Sequence, residues 1–234
     1  YFILGFNYQY LGNLFLSNKI LDSLICSKKS SLLEKIESSM IISMNNIMTG
    51  DIEDAVINIK RIEDQLDHDQ ILRFLESNGK KGSARFYSFI INLISQLKNK
   101  SFTKKRKKIL YIGDSNCLSF SYQSTILNSK KVTIQPVLIQ GAKAWHFAQE
   151  NNNQYKASFI EQLKYSPTYD EIFISFGSID CSKEEGILHY TNKYNKNIRE
   201  VTKETIISFL NFMQSKINSI FKKRYYFGFS LPMQ

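Results

Sequence analysis

The stretch that decides the fold is "ILYIGDSNCLSF", residues 109–120. A β-prone apolar run, Ile109 to Ile112, stops at Gly113-Asp114-Ser115, and a new segment begins at once. Three further runs have the same character: "VTIQPVLIQG" (132–141), "DEIFISFG" (170–177) and "RYYFGFSLP" (224–232). The intervening segments carry helical spacing: "SNCLSFSYQSTIL", "AWHFAQE" with "KASFIEQLK", and the long "KNIREVTKETIISFLNFMQSKINSIF". Strands alternating with helices predict βαβ units and a parallel sheet. Near-continuous apolar strands suit a sheet covered on both faces. Right-handed crossovers then give a three-layer, doubly wound α/β domain over 101–234.

Upstream the period changes. In residues 1–100 Leu4, Tyr8 and Leu11 recur at helical spacing, Gly12-Asn13 interrupts, and Leu16, Ile20, Leu21 and Leu24 resume it. A second hairpin places Met40, Met44 and Met48 before a Gly50-Asp51 turn and Ala55, Ile59 and Ile62 after it. Two turns in equivalent places suggest an internal repeat. Two more helices are predicted at "DQILRFLES" and "ARFYSFIINLISQL". These hairpins resemble tetratricopeptide repeats. Tyr1, Leu4, Gly5 and Tyr8 fall where that repeat has its first-helix signature, and Ser17, Leu21 and Leu24 fall on the second helix. In the second hairpin Gly50 and Ala55 match, Ser43 replaces the first-helix glycine, and the closing proline is absent. The resemblance implies a helical platform able to bind a protein partner. Two repeats are too few for a solenoid by themselves.

Composition narrows the class. Of 234 residues, 43% are hydrophobic and 22% charged, with ten glycines and three prolines, which is the make-up of a globular chain rather than a disordered or collagenous one. The net charge of +10 raises a nucleic-acid reading. Only "KKRKK" (104–108) and "KKR" (222–224) are dense, however, and each sits at the entry to an apolar run. That pattern reads as a solvated strand entry, so a nucleic-acid partner is not expected. Cys26, Cys117 and Cys181 are far apart with no CxxC pair, which indicates neither a disulfide framework nor a zinc site and fits a reducing, cytoplasmic setting. No metal or other cofactor is implied, and no apolar run has the length of a membrane span. The sequence opens at Tyr1 rather than Met and is read as a fragment.

In an open α/β sheet the site lies outside the carboxyl ends of the strands. Three of those ends carry a glycine where the chain must turn: Gly113 in "YIGDSN", Gly141 in "IQGAKAWHF" and Gly177 in "FGSID". Ser115 has two readings at this point. It is either a nucleophile presented at the end of a strand or the N-cap of the next helix, a place serine commonly fills. His146, in "GAKAWHFA", is a candidate base, though it reads more simply as packing, and His189 reads as a surface loop residue. Cys117 and Cys181 read as packing residues rather than thiol nucleophiles.

Taken together, "YIGDSN", Gly141 and "SFGSID" are similar to the motifs of the SGNH/GDSL hydrolase family over roughly 105–234. The resemblance implies a flavodoxin-like three-layer sheet. It also implies a serine esterase or acyltransferase on O-acyl groups, often of carbohydrates, so that an acylated carbohydrate or other ester is the expected substrate. A pairing of helical repeats with such a domain resembles bacterial proteins of that build. On this pattern Ser115 is the nucleophile, and the backbone N–H groups of Ser115 and Gly141 serve the oxyanion. Gly113, Asp114, Asn116, Gly177 and Asp180 form the site loops, with Asp114 fixing the turn and Asp180 bracing the third block. Two departures follow. The family's third block is Gly-x-Asn-Asp, whose Asn is an oxyanion donor; here Ile179 stands in its place and has nothing to donate. The family's Asp-x-x-His, which supplies acid and base, does not occur up to Gln234 and is expected beyond it. The alternative is a domain that keeps the fold without catalysis and binds a glycan or protein.

Overall fold

The computed structural model describes residues 1–98, 107–164, 166–182 and 184–228. The chain divides into two compact units, Tyr1–Thr103 and Lys104–Gln234. Among the described residues no helix is long and apolar enough to cross a membrane.

The first unit is all helical: α1 Phe2–Tyr10, α2 Leu14–Cys26, α3 Leu32–Thr49, α4 Ile52–Glu63, α5 His68–Ser77 and α6 Lys81–Leu97. The helices start where the sequence offers caps. Ser31 with Glu34 and Asp67 with Gln70 form reciprocal capping boxes, and Asn13 caps α2. α3 ends at Gly50, whose φ of 93° only glycine adopts without strain. α3 is the central helix, buried almost continuously from Ser38 to Met48. Its small residues let α4 close in: Ser39 and Ser43 donate to the carbonyls of Asn58 (2.5 Å) and Ala55 (3.1 Å). Thus the serine at 43, where the repeat pattern has glycine, bonds directly to the partner helix. A buried amide network ties α1, α2 and α3 together. Gln9 donates to Asn45 (2.8 Å), Asn45 to Ser17 (3.1 Å) and Asn18 (2.7 Å), and Asn18 to Asn46 (2.8 Å). With each of these polar groups partnered, the network fixes helix register without an unmet desolvation cost.

The second unit is α/β. Its strands are β1 Lys107–Gly113, β2 Ser124–Leu127, β3 Lys130–Leu138, β4 Glu171–Ser175 and β5 Tyr225–Gly228, in the order β2-β3-β1-β4-β5. β3, β1, β4 and β5 run parallel, and β2 is antiparallel to β3 at the edge. The helices are α7 Ala144–Ala148, α8 Gln154–Leu163, α9 Gly186–Tyr194 and α10 Ile198–Ile220. Leu110, Ile112, Ile172 and Ile174 point to one face and pack with Phe147, Phe159, Phe209, Met213 and Ile217 from α7, α8 and α10. On the other face Tyr111, Phe173 and Tyr226 stand in register, with Phe120 against Tyr111.

Strand order explains this asymmetry. From β3 to β4 and from β4 to β5 the chain moves in the same direction across the sheet, so crossovers of one hand lay α7, α8 and α10 on the same face. From β1 to β3 it moves the opposite way, and the cover of the second face falls to that connection. The regular helix expected over "SNCLSFSYQSTIL" does not form there. The segment makes a six-residue 3-10 helix, Ser115–Phe120, and then strand β2. β2 turns into β3 through Asn128 and Ser129, with φ of 50° and 62°, as the tight two-residue hairpin turn requires. The sheet is therefore mixed rather than wholly parallel.

The predicted strand entries are held as expected for exposed basic runs. Lys107 pairs with Asp170, Arg224 with Glu171 (3.1 Å), and Lys223 donates to the Tyr169 carbonyl (2.6 Å). Residues 104–106 of the basic run, and Leu231-Pro232 at the predicted end of the fourth strand, lie outside the described residues.

Candidate active site

The carboxyl ends of β3, β1 and β4 lie side by side, because Gly113 is in register with Leu138 on one flank and Ser175 on the other. Gly113 is glycine by necessity of approach. A Cβ there would stand 2.7 Å from the Ser175 carbonyl oxygen and 3.1 Å from Cys117 Cβ. Its own carbonyl accepts from Ile139 N–H (2.9 Å), and the next N–H, of Asp114, donates to the Ser175 carbonyl (3.3 Å). The three ends are thus stitched together by backbone.

Two buried aspartates organise the loops beyond. Asp114 is fully buried. Its Oδ1 accepts from Asn116 N–H (3.1 Å), its Oδ2 from the Ser178 hydroxyl (2.7 Å), and its carbonyl from Cys117 N–H (3.0 Å). Asp114 is therefore the cap of the 3-10 helix, and the cap reading of Ser115 is overturned. Ser115 is the first residue inside that helix; it is exposed, and among the described residues its hydroxyl has no hydrogen bond. Asp180 lies in the short 3-10 helix Ile179–Cys181 after β4. Its two oxygens accept from Ala144 N–H (2.7 Å) and Trp145 N–H (3.0 Å), so it caps α7. Burial pushes its carboxyl above the usual range, against the two N–H bonds and the Lys143 charge that favour the anion. Gly186 takes a φ of 69° directly over this turn, where a Cβ would lie 2.5 Å from Asp180 Cα. Gly177, at φ 123°, gives the chain its sharp exit from β4.

Gly141 follows β3 at φ 69° and is exposed, and a Cβ there would face the Tyr155 hydroxyl at 3.8 Å. The same tyrosine ring stacks on His146 at 3.9 Å and 5°. His146 Nδ1 accepts from Lys143 N–H (3.2 Å), while Lys143 Nζ pairs with Glu185. Burial, helped by the Lys143 charge, lowers the imidazole to about 4. At neutral pH His146 is thus neutral, and with Nδ1 occupied its proton sits on Nε2. This arrangement presents Nε2–H as a donor and fits the packing reading of His146. His189 is exposed on α9 rather than in a loop, and His68 belongs to the first unit, stacked on Tyr87.

Burial, chiefly, and then Asp114 raise the Cys117 thiol well above its ordinary value, so it is a packing residue and no nucleophile. Cys181 is exposed and free. Ile179 is half-buried beside Asp180 and offers no donor. Among the described residues no three His, Cys, Asp or Glu side chains gather as a metal site would need. Ser178 and Tyr155 were not foreseen. The signal for Ser178 was present in "GSID", where a hydroxyl sits two residues before the brace; Tyr155, fourteen residues past Gly141, left none.

The chain matches no family model, no curated protein and no solved structure.

Proposed function

We propose that the second unit is an SGNH-like serine esterase or acyltransferase acting on O-acyl groups of a carbohydrate. The observation that carries the reading is Ser115 itself. It is exposed at the carboxyl edge of the central strand, and the capping work its position invites is done by Asp114. The parallel order β3-β1-β4-β5 supports a flavodoxin-like arrangement, in which the crevice opens where the connections leave β1 and β4 in opposite directions. In the proposed step Ser115 Oγ attacks the acyl carbonyl carbon and its proton passes to a base. The carbonyl oxygen becomes the oxyanion, held by the N–H groups of Ser115 and Gly141. Collapse breaks the ester C–O bond, the departing alcohol takes a proton, and a water or a second alcohol then takes the acyl group from the serine. His146, with Nδ1 taken by the Lys143 N–H, is not assigned the role of base; the resemblance assigns it to the histidine of an Asp-x-x-His block. The helical hairpins of the first unit would engage a protein partner.

The test is chemical rescue. An aryl acetate is supplied with and without imidazole to the chain and to Ser115→Ala. The reading expects an imidazole-dependent rate above the free-imidazole background in the parent and none in the variant. Equal rates in both refute it. Ile179 favours a second reading, a non-catalytic binding domain of the same fold, since loss of one oxyanion donor commonly costs ~10²–10³ in rate. A parent with no rescued rate would establish that reading in place of the first.

A further inference from the structure

A groove of about 350 Å³ opens between α7, α9 and α10, apart from the Ser115 turn. One wall is aromatic. The Trp145 indole lies 4.7 Å from the Tyr190 ring, the two planes inclined by 40°, and both rings line it. The other wall is polar: Lys196, Glu200 and Glu204 line it, with side chains exposed and without an ion pair among the described residues. An indole and a phenol ring together with carboxylate acceptors and an ammonium donor match a pyranose ring, which has an apolar C–H face for one ring and a rim of hydroxyls for the polar groups. Two carboxylates against one ammonium make the groove acidic within a basic chain, so a neutral sugar fits and an anionic one does not. Trp145 also joins the groove to the strand-end loops, because its N–H is held by Asp180 while its ring forms the wall.

We infer that this groove is a binding subsite for a neutral hexopyranose unit. The inference deepens the esterase reading, by naming the part of the substrate that the second unit grips, and rests on that reading for its place in catalysis. Its test does not rest on it. Trp145 is the single tryptophan of the chain, so tryptophan emission arises from the groove wall. The whole chain is titrated with neutral gluco-, manno- and N-acetylglucosamine trisaccharides, with a glucuronate trisaccharide, and with an unrelated acetylated tripeptide. The expected result is a saturable emission shift with at least one neutral trisaccharide, and at least roughly tenfold weaker binding of the glucuronate, as like-charge contact predicts. Glu204→Gln, an exposed change that leaves folding alone, should weaken the neutral ligand roughly tenfold, the worth of one charge-assisted hydrogen bond. Tyr190→Ala should remove the shift. No shift with any neutral trisaccharide, equal or better binding of the glucuronate, or a shift with the tripeptide alone overturns the inference. A shift in a parent chain that shows no ester rescue leaves the groove standing and refutes the catalytic reading; rescue in the parent without a shift does the reverse.

Discussion

The turns after β1 and β4 are both built on a buried aspartate, and they use it differently. Asp180 spends both oxygens on the N–H groups of a neighbouring helix and holds that helix start in place. Asp114 takes one bond from its own turn and one from Ser178 across the sheet, and by doing so leaves the adjacent Ser115 with no structural task. The same residue type is a brace in one loop and a release in the other. The contrast teaches that a serine at a helix start is judged by who holds the cap, not by its position.

Four changes break or sharpen this contrast. The largest effect is expected at Gly113, which both turns depend on. Gly113→Ala drives a Cβ into the Ser175 carbonyl and should cost about 3 kcal/mol, read as a drop in the urea midpoint. Next comes the brace. Asp180→Ala strands two N–H groups at the start of α7 and should cost ~1–3 kcal/mol, with the Trp145 emission moving as well. Third is the pair across the cleft. Ser178→Ala removes one bond to a buried carboxylate and should cost about 1 kcal/mol. Smallest is Ser115→Ala, which should stay within ~0.5 kcal/mol of the parent, as an exposed residue outside the cap does. A loss of about 1 kcal/mol or more there, the usual cost of deleting a capping serine, would return Ser115 to a structural role.

A pH series separates the neighbouring histidine from this pair. His146 is held at about 4 in the fold, below its unfolded value of 6.5. The unfolded chain therefore binds the proton first, and stability falls as pH drops from about 6.5 through about 4. His146→Phe keeps a ring against Tyr155 and should flatten that part of the profile in urea titrations at fixed pH steps. An unchanged slope would mean that the imidazole is not kept neutral by its surroundings.

Much of this was legible in the sequence. Apolar runs closed by Gly113, Gly141 and Gly177 located three strand ends, and Gly12-Asn13 and Gly50-Asp51 located the helical turns. The segment 115–127 reads as helical by spacing yet forms a 3-10 helix and a strand, because its serines interrupt the apolar stripe that would hold a regular helix on the sheet. The discriminating signals were local: Asp114 able to cap, and Asn128-Ser129 flanked by Thr125-Ile126 and Val132 as a hairpin. The candidate site was half legible. Glycines and the two aspartates stand out by type and place, whereas the neutral tautomer of His146 depends on a backbone N–H and a stacked ring that sequence spacing does not encode.

The most direct measurement maps a covalent mark. The chain is treated with a fluorophosphonate in the presence of imidazole, digested, and the modified peptide identified by mass spectrometry, with Ser115→Ala alongside. The account predicts a single adduct on Ser115 in the parent and none in the variant. No adduct in the parent, or one on another residue that survives in Ser115→Ala, would contradict it.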